Sequence, residues 1–228
     1  MTTRTLCLST LVLLCAAFPA QAFRLTLSGV LTGTGRPGWA PRRLDRAVTG
    51  QLVFAGALIA TAALVATLAP MRWELSSPVD WRWYAAAVAF GCLAPVLEWA
   101  AGAALLAIRH RRLAGIALHR LAGGGSVWVV LAAVGAAAAE EVLFRGVGLH
   151  LLETALGWPA VAALAVTAVV YGLNHLYFGA MTVGQKTITG AGFGLLYLLG
   201  GHNVLVPLVA HAVQNVVVLT VLPRRKAP

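Results

Sequence analysis

The chain has 228 residues, 60% of them hydrophobic and 11% charged, with a mean hydropathy of +0.83. A soluble domain runs at about 45–50% apolar and about 25% charged, so a soluble enzyme, a disordered tail and a disulfide-stapled secreted domain are all excluded. The net charge of +10 does not point to nucleic acid, because a DNA-binding surface needs a continuous basic face on a folded domain. The basic residues instead gather in short patches between apolar runs: Arg36, Arg42, Arg43 and Arg46; Arg109, Arg111, Arg112 and Arg120; Arg224, Arg225 and Lys226. That is the pattern by which loop charge sets membrane topology. Cys7, Cys15 and Cys92 lie within apolar segments without metal-ligand spacing, which implies neither a disulfide framework nor a zinc cluster. The predicted fold class is all-α, a polytopic transmembrane helical bundle of about seven spans.

In chain order, the first apolar run is Thr5 to Phe23. Its ending, Pro19-Ala20-Gln21-Ala22, resembles a secretory signal peptide. Only Arg4 precedes the run, however, and Arg24, Arg36, Arg42, Arg43 and Arg46 follow it, a balance that favours a retained span with the N-terminus outside. The second span is predicted over Thr49 to Pro70, and Leu52 to Met71 carries no ionisable side chain. The third runs from Trp83 to Ile108, with Trp81, Trp83 and Tyr84 as interfacial anchors. After the basic loop 109–120 and Gly123-Gly124-Gly125, a fourth run begins at Ser126 and continues helically through Glu140 and Glu141 to Leu156. Gly157-Trp158-Pro159 reverses the chain, Pro159 suiting the first turn of a helix. The fifth span is Ala160 to about Leu176, the sixth about Val183 to Leu199, and the seventh Val204 to Leu222. Small residues at Gly190-Ala191-Gly192-Phe193-Gly194 permit close helix approach on the sixth.

With seven spans, thirteen Lys and Arg fall on one side and Arg4, Arg72 and Arg82 on the other. The expected placement is therefore multi-pass in the cell (inner or plasma) membrane, N-terminus outside and C-terminus cytoplasmic. The organisation reads as a first span and basic connection over 1–48, accessory spans two and three with a basic loop over 49–120, a four-span core over 121–222 and a basic tail over 223–228.

Ionisable groups inside a bilayer are expensive and mark function by default. They occur at Glu140-Glu141-Val142-Leu143-Phe144-Arg145, at Tyr171-Gly172-Leu173-Asn174-His175, at His211-Ala212-Val213-Gln214-Asn215 and at Glu98. Glu141 and Arg145 are four apart and meet on one helical face, whereas Glu140 points about 100° away and lacks that partner. Tyr171 and His175 share a face, as do His211 and Asn215. If these faces converge on Glu140, the bundle encloses a carboxylate, two imidazoles and an amide, a set able to activate water and donate hydrogen bonds to a developing oxyanion. Glu98 has no partner assignable from sequence and is left out of the site. His150 with Glu153, and His202 with Asn203, fall near span ends and suit solvated structural roles.

The segments EEVLFR at 140–145, YGLNH at 171–175 and HAVQN at 211–215 resemble the three motifs of the CAAX protease and bacteriocin-processing family, which includes the type II CAAX prenyl endopeptidases. The resemblance covers about 121–222 and implies a glutamate-dependent intramembrane protease. It implies Glu140 as the general base that activates water, His175 as an aid in holding that water or moving its proton, and His211 and Asn215 as oxyanion stabilisers. Glu141, Arg145 and Tyr171 would support the site, Tyr171 standing where the family usually has phenylalanine. No Ser or Cys nucleophile accompanies the motifs, which favours water attack over covalent catalysis.

The expected partners are a membrane-associated peptide or protein substrate and the lipid bilayer, with no nucleic acid and no required cofactor. Brevity and an arginine- and alanine-rich composition read as bacterial, against a prenylated substrate. Two alternatives stay open. One is a zinc-dependent membrane protease built on the same Glu/His cluster, although the HExxH spacing is missing. The other is a non-enzymatic protein, either a bacteriocin immunity or binding factor or a proton-coupled carrier.

Overall fold

The computed structural model describes residues 43–68, 76–110 and 126–221, with side chains described over most of each stretch. The described residues are helical throughout apart from short connections, as the hydropathy pattern predicts. Six helices follow one another: α1 (Arg43–Leu68), α2 (Trp81–His110), α3 (Val127–Glu141, continued by π-helical turns at Val142–Leu149 and Leu151–Ala155), α4 (Ala160–Leu173), α5 (Ala180–Leu199) and α6 (Leu205–Val216, with a π-helical turn at Val217–Val221). They coincide with the second to seventh apolar runs. The first run, Thr5 to Phe23, the Gly123-Gly124-Gly125 stretch and most of the basic loop 109–120 lie outside the described residues.

Three stretches are long and apolar enough to cross a membrane: Ala47–Thr67, Trp81–Ile108 and Val127–Ala155. Ala160–Leu173 and Leu205–Val221 are shorter apolar helices; fourteen residues of α4 reach about 21 Å, less than the roughly 30 Å of a hydrocarbon core. The side chains facing outward are those a bilayer solvates. Leu52 and Ile59 on α1, Val88 and Val96 on α2, and Val161 on α4 are all exposed, an arrangement that water would penalise and hydrocarbon does not.

α3 is the central element, with 56% of its apolar window buried against 28% and 22% for α1 and α2. It packs on α1 and α6, while α4 pairs with α5 and α2 crosses both α5 and α6. One core cluster joins all six helices, through Leu58 and Val65 of α1, Ala87 of α2, Leu143 and Phe144 of α3, Tyr171 of α4, Phe193 of α5, and Val206 and Ala210 of α6.

Two glycines make the α4–α5 contact possible. A Cβ at Gly190 would sit 2.6 Å from the Tyr171 ring, and one at Gly172 would sit 2.7 Å from the Val183 carbonyl. This is the close approach predicted from the small residues of the sixth run.

One end of the bundle is tied by polar contacts between connections. The Ser77 hydroxyl donates to the Gly201 carbonyl (2.7 Å), and the Asn203 amide donates to the Ser77 carbonyl (2.6 Å) while its Oδ1 accepts from the Leu205 N–H (2.8 Å) at the start of α6. His202 Nε2 lies 3.3 Å from Glu153. The segments before α2, at the end of α3 and before α6 thus share one end, as alternating helices require.

Candidate active site

Glu140 and Glu141 close the α-helical part of α3, and the chain passes at once into the π-helical stretch Val142–Leu149. A wider turn of this kind re-aims side chains and is common at functional sites. The apolar run predicts a helix continuous through this motif to Leu156. The structure keeps the run continuous but loosens its winding around the charged motif, and the Glu141–Arg145 pair survives, with Arg145 Nη1 3.0 Å from each Glu141 oxygen. Arg145 is 2% exposed. Its Nη2 donates to the Gly190 carbonyl at 2.7 Å, and its guanidinium lies 4.9 Å from the Tyr171 ring centroid and 5.4 Å from that of Phe193. A buried guanidinium is tolerable only when paired and hydrogen-bonded, and the neighbouring rings add cation–π attraction.

Glu141 has a second partner. His211 Nδ1 approaches Glu141 Oε1 at 2.8 Å, and His211 Nε2 lies 3.6 Å from Glu140 Oε2. His211 therefore stands between the two carboxylates. An ionised carboxylate only accepts, so Nδ1–H donates to Glu141, and the Nε2 edge faces Glu140. The imidazole is held flat by Phe193, stacked at 4.8 Å with the planes 20° apart. A site in which one histidine touches both glutamates goes beyond what helical spacing gives, because α6 and α3 are joined by tertiary packing alone.

His175 lies one residue beyond the C-cap of α4, where the chain turns through Leu176–Phe178 and Gly179 (φ 99°) into α5. The apolar run predicts this helix to about Leu176. The structure ends it at Leu173 because the α4–α5 contact forces an early reversal. The histidine is still fixed: Nδ1–H donates to the Tyr171 carbonyl at 3.0 Å, which leaves Nε2 as a free lone pair. Tyr171 sits between the motifs, its ring 5.0 Å from His175, 6.1 Å from His211 and 5.2 Å from Phe144.

Asn215 lies one turn of α6 from His211, but its Nδ2 donates to the Ala133 carbonyl of α3 at 3.0 Å. One amide hydrogen is so engaged, and the second, with Oδ1, stays available. Glu140, Glu141, Arg145, Tyr171 and His211 thus gather in one buried region with the half-buried His175 against the Tyr171 ring, while Asn215 is tied to α3 at Ala133, seven residues before Glu140.

Glu98 does have partners. Its Oε1 accepts from Lys186 Nζ (2.7 Å), Thr189 Oγ1 (2.9 Å) and Gln214 Nε2 (2.9 Å), and its carbonyl accepts from Gln185 Nε2 (2.7 Å). Sequence reasoning leaves Glu98, Lys186 and Gln214 out of the site. The available signals were the place of Gln214 within HAVQN and of Lys186 one turn before Thr189, but no local spacing connects them to a residue on α2. Asn174, beside His175, is likewise fully buried, with both amide atoms lacking a hydrogen-bond partner among the described residues. Among those residues no group of three His, Cys, Asp or Glu is arranged to hold a metal ion.

The assembly is that of a helical membrane protein with a buried carboxylate–imidazole centre. Residues 123–217 match the family model described as type II CAAX prenyl endopeptidase Rce1-like, and this match supports the chain's place in the CAAX protease and bacteriocin-processing family. The match spans all three motifs and supports a membrane endopeptidase of the CAAX type. No curated protein and no solved structure matches the chain.

Proposed function

We propose that the protein is an intramembrane endopeptidase that hydrolyses a peptide bond of a membrane-associated protein or peptide with a Glu140-activated water. The observation that carries this reading is the placing of His211 between Glu140 and Glu141 inside the segment that matches the endopeptidase family.

Glu140 takes a proton from water, and the water oxygen bonds to the scissile carbonyl carbon. His175, with its Nε2 lone pair free, holds that water or relays its proton. The carbonyl oxygen becomes an oxyanion that accepts from the second Asn215 amide hydrogen and from Nε2–H of a doubly protonated His211, whose Nδ1–H stays on Glu141. The Glu140 proton then passes to the leaving amine, the C–N bond breaks, and one water is consumed for one new carboxylate and one new amine. Glu141 and Arg145 hold His211 in place and touch no substrate. The reaction calls on no metal or other cofactor.

In the bilayer the seven apolar runs are read as embedded helices, the first supplied by Thr5 to Phe23 and the short α4 completed by the turn Leu176–Phe178, in a bacterial cell membrane with the N-terminus outside and the C-terminus cytoplasmic. The thirteen-to-three division of Lys and Arg supports that orientation.

The test compares the termini of membrane proteins in source cells that carry the wild-type protein or Glu140→Gln at matched abundance. A peptide end that disappears in the variant establishes proteolysis and names the substrate. Unchanged termini with both proteins folded overturn the reading and leave a binding or immunity role for the cluster.

A further inference from the structure

Tyr171 is the residue on which the three motifs converge. Its ring meets Phe144 of the first motif edge-on, His175 of its own, His211 of the third, and Phe193 of α5, at centroid distances of 5.2, 5.0, 6.1 and 6.4 Å. Gly190 of α5 lies against the ring with no room for a Cβ, and the Arg145 guanidinium is over it. The side chain is 0% exposed.

The phenolic oxygen within this cage has no hydrogen-bond partner among the described residues. A hydroxyl is normally satisfied when buried, because leaving a donor unpaired costs stability. The ring that carries this unpaired donor adjoins His211, the histidine that would face the oxyanion, and lies under the guanidinium paired with Glu141. A fixed donor with no acceptor in the resting protein is suited to an acceptor that arrives with substrate.

We infer that the Tyr171 hydroxyl is a catalytic hydrogen-bond donor, reserved for the substrate carbonyl oxygen as negative charge develops on it. It acts beside His211 and Asn215 and transfers no proton of its own. The inference rests on the peptidase reading above. It explains why a polar group is kept unpaired at a fully buried position, where a phenyl ring fills the same space without that cost.

The test is Tyr171→Phe, which removes one oxygen and keeps the ring contacts. Two measurements are made on protein purified in detergent: thermal unfolding, and cleavage of a synthetic peptide spanning the Glu140-dependent end. The expected result is a melting temperature at or above that of the wild type, with kcat lower by about 10²-fold and KM unchanged, the size seen when one oxyanion donor is removed. A lower melting temperature shows the hydroxyl to be satisfied within the fold and overturns the inference. So does unchanged kcat where Glu140→Gln is inactive, in which case the peptidase reading survives. If Glu140→Gln leaves every terminus unchanged, the peptidase reading fails and the Tyr171 role falls with it.

Discussion

Adjacent glutamates on α3 have separate environments although they share a sequence motif. Glu141 is 0% exposed and engages both Arg145 and His211, while the ion pair of Glu140 among the described residues is with the Nε2 edge of that histidine. The two substitutions are therefore expected to differ in kind. Glu140→Gln keeps the size and packing of the side chain and removes a proton acceptor. Cleavage is expected to fall by about 10²–10⁴-fold, the range for loss of a general base, with the melting temperature in detergent unchanged. Arg145→Met leaves Glu141 buried with His211 alone, and breaking a buried pair from one side costs about 3–5 kcal/mol. That variant is expected to unfold at markedly lower temperature or fail to accumulate in the membrane; an Arg145→Met protein of normal stability would show that His211 alone neutralises Glu141. The Glu141–Arg145 pair was legible in the sequence because a helix places residues four apart on one face. The His211–Glu141 contact was not, since seventy residues separate the two.

At the scale of helices, the site depends on how closely α5 can lie against α3 and α4. The Gly190 carbonyl takes Arg145 while its missing side chain admits the Tyr171 ring. Gly190→Ala puts a methyl group into that ring, and overpacking of this type costs about 1–3 kcal/mol. The expected outcome is a lower melting temperature together with reduced cleavage, since both Arg145 and Tyr171 must move; equal activity and stability would mean that α5 shifts freely.

α2 contributes in another way. It lies outside the segment that matches the family model, yet Glu98 gathers Lys186 and Thr189 from α5 and Gln214 from α6. Hydrogen bonds between membrane helices average about 0.6 kcal/mol each, so Glu98→Ala, which removes three side-chain acceptor contacts, is expected to destabilise by about 2 kcal/mol in a reversible unfolding titration. A change within error would show that Lys186, Thr189 and Gln214 find other acceptors. The hydropathy pattern revealed each of these helices. It did not reveal the partners of Glu98, because a lone carboxylate in an apolar run carries no information about what faces it.

For the whole molecule, the contacts of Ser77 with Gly201 and Asn203, and of His202 with Glu153, place three connections at one end. If the basic patches are cytoplasmic, that end is external. A single cysteine at Ser77, in a chain whose native cysteines are replaced by serine, is expected to react with an impermeant maleimide added to intact cells, and a cysteine at Arg112 to react only after the cells are opened. The reverse labelling would invert the orientation.

The sequence by itself determined that the chain is a helical membrane protein, where the second to seventh apolar runs lie along it, and which polar residues lie in them. Those features follow from local rules: the length of a helix that crosses hydrocarbon, the cost of a charge within it and the period that aligns positions four apart. Tertiary structure alone decided that His211 stands between two glutamates, that α4 stops before His175, that Glu98 belongs to a network, and that the Tyr171 hydroxyl is left unpaired. Each of these results from helices meeting across the bundle, where the partners of a side chain are set by packing between distant segments and have no counterpart in local spacing.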